Sequence, residues 1–523
     1  MNIDFELIEY LKEKVLALYE ESKSIHEMNV ANKEGYDIVT DVDLFMEKGI
    51  INLIKQLFPE HSIHSEESGE NKTDSEYEWL IDPIDGTINF ANNIPLYSTN
   101  IALNKNDETI LGLIIIYNEN NCYYAIKGKG AFCNREPIHV SQKEELKDSV
   151  ITFCLTSHYN TERINEVLDI EKMLADKVRG LRLIVSSSIE LAWLASGKID
   201  GYINIKASKG VGSAAGRLLV EEAGGIVTNI KGNKRAKIDT NLISNGIIHQ
   251  KLLNALKYVV FFGNITEVIE INPSKDIKVY MAGKAYSQAS FAAQQGINAK
   301  LITAISGLRK KEKDELLKNI KEQNIDISHI KISNDIDNDL KIIITGEDGE
   351  KSRVEDIYKG SSEAVNEELI EDNIEVIKNA SYIVCQTKIK SNVTNKMIKI
   401  AKENNIPVVL SISRANSGFD ENVDLQMIED STYVICTEKE FEQVFENQKL
   451  DNVLAQYPNK LIILTENDGI KYYNGESIQT ISYNDNTQIF KVGVIDIFIG
   501  YFVAQLVNGS NLKESIEGAL SKL

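Results

Sequence analysis

Residues 79–90 read WLIDPIDGTINF, and this stretch decides how the first half of the chain folds. Three apolar residues lead as a strand into Asp82, Pro83 fixes the next backbone angle, and Asp85-Gly86-Thr87 turns the chain. Gly86 and Thr87 are predicted to start a helix. Two carboxylates therefore stand three residues apart on one corner. Because like charges held this close raise each other's pKa, two ionised aspartates indicate a bound cation, and a hard dication suits oxygen ligands. An ordinary turn has the same composition, so the string alone leaves both interpretations open.

The composition is that of a soluble globular protein with at least two domains. At 523 residues the chain is too long for one ordinary core, and it is 43% hydrophobic and 26% charged. No apolar tract reaches the roughly 18 residues that would span a bilayer. The first residues follow helical periodicity among acidic side chains and lack the basic start of a signal peptide, so we expect a cytoplasmic protein.

Charge and cysteine usage exclude several classes of function. The net charge of −21, from 57 basic and 78 acidic residues, disfavours nucleic acid and membrane surfaces as partners and favours metal cations. Five scattered cysteines without Cys-x-x-Cys spacing indicate neither a disulfide framework nor a zinc site, and reduced thiols are the simpler interpretation. The sequence leaves open whether the protein is a monomer or a homodimer.

The pattern W-x-x-D-P-x-D-G-T-x-N-F is matched at every specified position by residues 79–90. This string resembles the first signature of the inositol monophosphatase family, a family of Mg-dependent phosphomonoesterases. The resemblance covers about the first half of the chain and implies a layered αβαβα sugar-phosphatase fold over residues 1–257. It also implies Mg²⁺ as cofactor and, as substrate, a small phosphate monoester such as an inositol monophosphate or a related sugar phosphate.

The same resemblance implies roles for individual residues. Residues 65–68, Ser-Glu-Glu-Ser, are similar to the family's Gly-Glu-Glu-Ser metal motif. The expected metal ligands are Glu66, Asp82, Asp85 and the Ile84 carbonyl; the expected catalytic pair that orients water is Thr87 and Asp43; the expected substrate contacts are Ile84, Asp85, Gly86, Thr87 and Ser186. On physical grounds alone Asp43 has a second explanation, since it follows Thr40 and Asp41 in the first turn of a helix predicted to run to Leu57.

Two departures from the family pattern fall near this expected site. The family's second signature begins Trp-Asp, but here the pair is Val211-Gly212, although Ala214-Ala215-Gly216 follows as in the family. The lost aspartate is the family's ligand to a second metal, so the change predicts weaker binding there and leaves catalysis open. At a corner where the family has glycine, Val185 would restrict the backbone.

Further along, Lys206 and Lys209 stand just before the second signature. They either supply positive charge near phosphate or are solvated surface lysines, and the second interpretation is the simpler one.

Period-two segments from Ser98 to Ile138 predict an antiparallel meander.

The second half, residues 258–523, alternates strand and helix patterns, which predicts an open α/β sheet of parallel strands. The predicted strands are Lys278 to Met281, Ala299 to Ala304, Leu340 to Thr345, Tyr382 to Gln386, Pro407 to Ile412, Tyr433 to Cys436 and Leu461 to Thr465. Residues 282–307 and 491–506 are similar to two motifs of the ribokinase family of carbohydrate kinases. In that family the residue matching Asp496 is the catalytic base.

Several positions of the kinase motifs are altered. The Gly-Ala-Gly turn before Asp496 reads Gly493-Val494-Ile495, and a sugar-contacting asparagine is replaced by Ser287. These losses predict a kinase-like domain without kinase activity that serves as a binding, dimerising or regulatory module, with Asp496 surviving as a helix cap. Two alternatives stay open: a sensor of a sugar phosphate or nucleotide in which neither half is active, and a bifunctional phosphatase and sugar kinase.

Overall fold

The computed structural model describes residues 4–25, 29–32, 38–155, 160–205, 211–234, 240–272, 277–345, 351–358, 360–412, 423–446, 448–483 and 493–523. Within it the chain forms two compact units, Met1–Leu256 and Lys257–Leu523, which we call the first unit and the second unit. None of the helices in the described ranges has the length and apolar content needed to cross a membrane.

The first unit contains two large sheets. Its helices are α1 Phe5–Ser22, α2 Asp41–Leu57, α3 Thr87–Ala91, α4 Thr161–Ala175, α5 Ser187–Ala195, α6 Ala214–Glu222 and α7 His249–Leu256. Its strands are β1 Val30–Asn32, β2 Ile38–Thr40, β3 Ser62–Ser65, β4 Gly69–Asn71, β5 Tyr77–Asp85, β6 Ser98–Lys105, β7 Glu108–Ile116, β8 Asn121–Ile126, β9 Ala131–Cys133, β10 Glu136–Pro137, β11 Val150–Phe153, β12 Gly180–Arg182, β13 Gly201–Asn204, β14 Ile226–Thr228 and β15 Asn241–Ser244. The larger sheet has the order β10-β9-β8-β7-β6-β5-β3-β4 and the smaller one β12-β11-β13-β15-β14.

Alternation along the strands explains how these layers stack. Trp79 and Ile81 of β5 face α1 and α2, whereas Leu80 between them faces α5 and α6. Helices α5 and α6 also contact the smaller sheet, whose far side is covered by α4 and α7. The order is therefore helix, sheet, helix, sheet, helix, which confirms the predicted αβαβα architecture. The predicted antiparallel meander is formed by β6 to β10.

The second unit is built on one mixed sheet and a smaller separate sheet. Its helices are α8 Lys284–Ala293, α9 Lys310–Glu322, α10 Gly360–Ala364, α11 Glu367–Glu371, α12 Ile374–Lys378, α13 Ser391–Glu403, α14 Leu425–Asp430, α15 Glu438–Val444, α16 Leu450–Gln456, α17 Val494–Val507 and α18 Leu512–Leu520. Its strands are β16 Tyr258–Phe262, β17 Thr266–Ile271, β18 Ile277–Ala282, β19 Asn298–Ser306, β20 Ile325–Asp326, β21 Ile330–Ser333, β22 Asp339–Thr345, β23 Lys351–Tyr358, β24 Tyr382–Gln386, β25 Val408–Ser411, β26 Tyr433–Thr437, β27 Leu461–Leu464, β28 Ile470–Tyr473 and β29 Ile478–Ile481.

The main sheet confirms the predicted open α/β architecture, with one correction. Its order is β20-β19-β16-β24-β25-β26-β27-β28-β29, and strands β19, β16, β24, β25, β26 and β27 run parallel. The predicted strands that became β18 and β22 do not belong to it. They form a separate sheet, β18-β17-β22-β23, because β17 and β18 make an antiparallel hairpin and β22 pairs with the free edge of β17. Apolar periodicity predicts a strand but not its partner.

His249 at the start of α7 is a buried histidine that predicts a loss of stability in acid. The side chain is buried, and its two ring nitrogens lie 3.0 Å from Thr228 Oγ1 and 2.9 Å from Ser244 Oγ. Burial, and secondarily the charge of Lys234, lowers the pKa of His249 to about 4. In the unfolded chain the imidazole titrates near pH 6.5, so below that pH the unfolded state binds the extra proton and the free energy of unfolding falls.

We expect His249 to remove about 2 kcal/mol of stability from the first unit between pH 7 and pH 5. Urea unfolding of the wild type and of His249→Gln at both pH values measures this. The variant should be less stable at pH 7, because it disturbs both hydroxyl contacts, but should lose less on acidification. Equal losses in the two proteins would contradict the assignment.

Candidate functional site

Glu66 and Asp82 are brought together by the parallel pairing of β3 and β5. Ser65, the last residue of β3, pairs with Ile81 of β5, and the next amide, Glu66 N, donates to the Ile81 carbonyl at 3.0 Å. Because the two strands run in the same direction, the residues that follow them emerge at one edge of the sheet. Glu66 is exposed and Asp82 is buried, so the pair extends from solvent into the protein.

Between Asp82 and Asp85 the strand β5 bulges. Asp82 pairs with Asn100 of β6 and Asp85 pairs with Ser98, so Pro83 and Ile84 together face a single residue of β6. Such a bulge bends the strand and changes the direction of its side chains, and bulges are frequent beside active sites.

The turn after the bulge requires glycine. Gly86 has φ of +88°, and a Cβ there would lie 2.8 Å from the Leu96 carbonyl oxygen. The short helix α3 begins at Thr87, as the sequence predicts. The turn brings the Thr87 hydroxyl back to the Ile84 carbonyl of the bulge.

Asp82 is the central carboxylate of the cluster. It is 4% exposed, and its buried Oδ1 atom has no hydrogen-bond partner among the residues that the structure describes. Burial raises the pKa of Asp82 well above its usual range, and the charges of Glu66, Asp85 and, more weakly, Asp43 raise it further. A buried carboxyl group with an unpaired oxygen and acidic neighbours is costly unless a cation compensates it.

The donor set fits a hard divalent cation. Carboxylates of Glu66, Asp82 and Asp85 and the Ile84 carbonyl are oxygen donors of the kind that Mg²⁺ prefers. Among the described residues these three carboxylates do not bring one oxygen each to within 4.8 Å of the others. The charges of Glu66 and Asp85 nevertheless both raise the pKa of Asp82. Asp82 therefore interacts with each of the other two carboxylates of the cluster.

Asp43 caps α2 with one carboxylate oxygen and contacts Thr87 with the other. The backbone N–H and the hydroxyl of Thr40 donate to Asp43 Oδ2, which completes a capping box at the start of α2. The other oxygen, Asp43 Oδ1, lies 3.2 Å from the Thr87 hydroxyl, which also lies 3.0 Å from the Ile84 carbonyl oxygen. The single hydroxyl proton of Thr87 is thus directed toward two acceptors. The lone pairs of the Thr87 oxygen remain available to accept a hydrogen bond from another donor.

Asp85 is held by the segment that precedes α5. Its Oδ2 atom accepts hydrogen bonds of 2.7 Å from the Ser186 hydroxyl and 2.7 Å from the Ser188 backbone N–H. Burial raises the pKa of Asp85, and these hydrogen bonds partly offset that effect. Ser186, expected from the sequence to contact substrate, therefore lies in this cluster through Asp85.

Comparisons with known proteins assign each half of the chain to a family. The model of the inositol monophosphatase family matches residues 1–260, and the model of the pfkB family of carbohydrate kinases matches residues 257–520. A fructose-1,6-bisphosphatase/inositol-1-monophosphatase of Thermotoga maritima is 34% identical over 234 residues, which cover 44% of this chain and 88% of the relative. The first half of the chain belongs to the inositol monophosphatase family, and the second half belongs to the pfkB family.

Other relatives match the same half. Human inositol monophosphatase 1 is 32% identical over 243 residues, covering 45% of this chain and 87% of its own length. The Nus factor SuhB of Escherichia coli is 32% identical over 221 residues, covering 42% and 81%. A solved inositol monophosphatase structure from Thermotoga maritima is 30% identical and covers 47% of this chain and 96% of its own, with a TM-score of 0.43.

Gly212, the main departure from the inositol monophosphatase pattern, faces the carboxylate cluster. A Cβ at this position would lie 3.3 Å from Asp82 Oδ2. The segment is held by two fully buried side chains: Ser188 Oγ donates to the Gly212 carbonyl at 3.3 Å, and Asn100 Nδ2 donates to the Val211 carbonyl at 3.4 Å. The lost aspartate side chain would therefore have pointed at Asp82. Lys206 and Lys209, just before this segment, lie outside the described residues.

Three polar residues near the inositol monophosphatase cluster were not predicted from the sequence. Asn100 and Ser188 hold the Gly212 segment, and Glu190 on α5 is completely buried. Burial raises the pKa of Glu190 well above its usual range, with a further contribution from the charge of Asp85. A polar residue inside an apolar strand, as at Asn100, or a glutamate inside an apolar helix, as at Glu190, is the signal that could have identified them.

The backbone at Val185 is strained, in agreement with the restriction expected from its replacement of glycine. Val185 has φ of +60°, a left-handed conformation that a β-branched residue rarely adopts. The strained residue stands immediately before Ser186, which binds Asp85. Strain of this kind costs about 1–3 kcal/mol and is retained where surrounding contacts impose it.

We expect Val185→Asn to raise the free energy of unfolding of the inositol monophosphatase unit by about 1 kcal/mol, because asparagine tolerates positive φ. Leu183→Asn is a matched control, since Leu183 is exposed nearby and does not have a positive φ. Urea denaturation measures both variants. A gain in the control, or none in Val185→Asn, would show that the backbone angle is not the source of strain.

Asp496 in the pfkB unit lies in the first turn of α17, but the prediction that it caps this helix is wrong. The cap residue is Gly493, with φ of +96°, and among the described residues no side chain caps the helix. Asp496 Oδ1 instead accepts a 2.8 Å hydrogen bond from Gln288 and lies 3.7 Å from Lys284 Nζ, both on α8. A tertiary contact between two helices, which the local pattern does not reveal, determines its orientation.

Proposed function

We propose that the inositol monophosphatase unit hydrolyses a small phosphate monoester with Mg²⁺ as cofactor. Membership of the family establishes a phosphatase relationship, and the observation that carries the finer proposal is Asp82. Within the described part of the chain one oxygen of this buried carboxyl group has no hydrogen-bond partner, and the charges of two acidic neighbours, Glu66 and Asp85, act on it. A structural role alone does not account for three acids around one buried site, whereas a bound dication does.

Glu66, Asp82, Asp85 and the Ile84 carbonyl would hold the metal. When bound, Mg²⁺ offsets charge on the transferring phosphoryl group and makes water a better nucleophile. Asp85 is pre-oriented by Ser186 and Ser188, so it need not reorganise when the ion binds. The exposed side of Glu66 gives the phosphate ester access from solvent.

Thr87 and Asp43 would position the attacking water. The Thr87 hydroxyl donates toward Asp43 Oδ1 and the Ile84 carbonyl, so its oxygen can accept a hydrogen from water. As that water attacks phosphorus, the bond from phosphorus to the ester oxygen would break, and the departing alkoxide would take a proton from solvent to leave as the alcohol. The proton of the attacking water would move toward Thr87 Oγ1 and the Thr87 proton toward Asp43 Oδ1. The Thr40 hydrogen bonds keep Asp43 in place throughout.

The substrate class we propose is an inositol monophosphate or a related sugar phosphate. The human and Thermotoga maritima relatives are named for inositol monophosphatase activity, and the latter also for fructose-1,6-bisphosphatase activity. Ile84, Asp85, Gly86, Thr87 and Ser186 are the proposed substrate contacts. In this proposal the ester binds at the turn that precedes α3 and not at the helix N-terminus as such, because α3 has only five residues.

For the pfkB unit we propose a binding or regulatory role without phosphoryl transfer. Gln288 and Lys284 both engage the Asp496 oxygen that would have to accept a proton, and the turn before it contains Val494 and Ile495.

We also propose a cytoplasmic protein, because all five cysteines are unpaired.

A phosphate-release assay on a panel of monoesters tests the proposed function. The panel contains inositol 1-phosphate, fructose 1,6-bisphosphate and glycerol 3-phosphate, each with Mg²⁺ and with EDTA. Release from at least one ester that requires Mg²⁺ is expected. No release from any ester would favour the alternative in which the protein is a sensor of a sugar phosphate or nucleotide. ATP consumption in the presence of a sugar, if it were lost in Asp496→Ala, would favour the alternative in which the second half is an active kinase.

A further inference from the structure

Thr99 stands at the one position of β6 that faces the bulge of β5. Asp82 pairs with Asn100 and Asp85 pairs with Ser98, which leaves Thr99 opposite Pro83 and Ile84. Thr99 is 1% exposed, and its hydroxyl donates a 2.6 Å hydrogen bond to the Pro83 carbonyl. A side chain of β6 thus binds the backbone of the bulge where the regular ladder is interrupted.

The Thr99 hydroxyl is itself held by Tyr117. The two hydroxyl oxygens lie 2.5 Å apart. Because Thr99 has one hydroxyl proton and directs it to Pro83, the Tyr117 phenol must be the donor in this pair. Burial raises the pKa of Tyr117, so the phenol keeps its proton at neutral pH. The Tyr117 ring stacks on Tyr19 of α1, with ring centres 3.6 Å apart.

The bound carbonyl lies between two expected metal ligands. Pro83 O is bound by the Thr99 hydroxyl, whereas the next carbonyl, Ile84 O, is bound by the Thr87 hydroxyl at 3.0 Å. Rotation of the peptide group between Pro83 and Ile84 would break the first hydrogen bond and change the direction of the adjacent backbone. The orientation of the Ile84 carbonyl, and of Asp82 and Asp85 on either side, therefore depends on this contact.

We propose that Thr99 is a positioning residue of the metal site, whose hydroxyl, oriented by Tyr117, fixes the bulge so that the Ile84 carbonyl and the flanking carboxylates converge on a divalent cation. The inference rests on the proposed function, because it assumes that these oxygens bind Mg²⁺. Thr99 contacts neither the ion nor the substrate. Its effect passes entirely through the backbone of residues 82–85.

Magnesium binding to the full-length protein tests this role without relying on catalysis. Titration calorimetry with MgCl₂, and the rise in melting temperature that Mg²⁺ produces, are measured for the wild type, Thr99→Val, Thr99→Ser and Tyr117→Phe. Thr99→Val keeps the shape but removes the hydroxyl, and we expect Mg²⁺ binding to weaken about tenfold or more. Thr99→Ser keeps the hydroxyl and should restore wild-type affinity, while Tyr117→Phe should have a smaller effect than Thr99→Val.

A matched control separates this role from general destabilisation. Thr228→Val removes another buried threonine hydroxyl, on β14 and within a different network formed with His249. It is expected to lower the melting temperature without changing Mg²⁺ affinity. Equal Mg²⁺ affinity in Thr99→Val and the wild type would overturn the positioning role while leaving the proposed function intact. Absence of Mg²⁺ uptake by the wild type would instead overturn the proposed function.

Discussion

Asp82→Asn is expected to reduce Mg²⁺-dependent phosphate release by about a hundredfold or more. It removes the carboxylate that interacts with both Glu66 and Asp85. An amide has the size of the carboxyl group but offers one neutral oxygen to the cation. Initial rates on the best substrate of the panel, over a range of Mg²⁺ concentrations, measure the loss. Higher Mg²⁺ should recover little of it.

The same substitution should stabilise the metal-free protein. Asp82 is buried with an unpaired oxygen and faces other acids, so a neutral side chain removes an unfavourable interaction of about 1–3 kcal/mol. Urea unfolding in EDTA measures this gain. Opposite signs for activity and stability distinguish a functional residue from one needed only for folding.

Asp107→Asn is the matched control for Asp82→Asn. It makes the same chemical change at an exposed turn with φ of +65°, a backbone angle that asparagine tolerates. Activity and stability should both remain at wild-type values. If Asp82→Asn behaved like this control in both assays, the carboxylate cluster would not be a metal site.

Gly212→Asp is expected to tighten Mg²⁺ binding about 10- to 100-fold, because a side chain built at Gly212 points at Asp82. The Cβ would lie 3.3 Å from Asp82 Oδ2, close enough that Asp82 must move by a few tenths of an ångström. Without metal the added charge repels Asp82 and should lower the melting temperature. With Mg²⁺ the same charge becomes a ligand, so the stabilisation by Mg²⁺ should exceed that of the wild type.

Gly212→Asn separates charge from volume in this experiment. The asparagine has nearly the same size and occupies the same space beside Asp82, but it carries no charge. It should show the steric cost without the gain in Mg²⁺ affinity. Equal Mg²⁺ titration curves for both variants and the wild type would mean that a side chain at this position does not reach the ion.

The sequence was sufficient to predict the local elements of the site. Residues 79–90 predicted a strand leading into Asp82, a glycine turn and a helix start at Thr87; the structure has the turn and the helix start, while the strand continues through a bulge to Asp85. These features depend on neighbours in the chain, since proline, glycine and alternating apolar residues restrict the backbone locally. The roles of Glu66 and Asp43 came from family resemblance, because nothing local connects them to residues 79–90.

Side-chain partners across the fold were less predictable. Asp496 was expected to cap its own helix, yet it is bound by Gln288, which lies 208 positions earlier in the chain. Strands β18 and β22 were recognised as strands but assigned to the wrong sheet. In both cases the local pattern predicts the type of element correctly, but several partners are possible, and competition between them decides the outcome.

The amino-acid sequence by itself determined that this chain has two α/β halves, that its acidic corner stands at the end of a buried strand, and that Gly86 must turn it. Only the tertiary structure decided that Thr99 binds the bulge, that Gly212 faces Asp82 and that Ser188 connects Asp85 to the Gly212 segment. The physical reason is how far apart in the chain the interacting residues lie. Backbone angles and burial patterns are set by adjacent residues, whereas a hydrogen bond or a shared charge forms only when packing brings distant segments within about 3 Å.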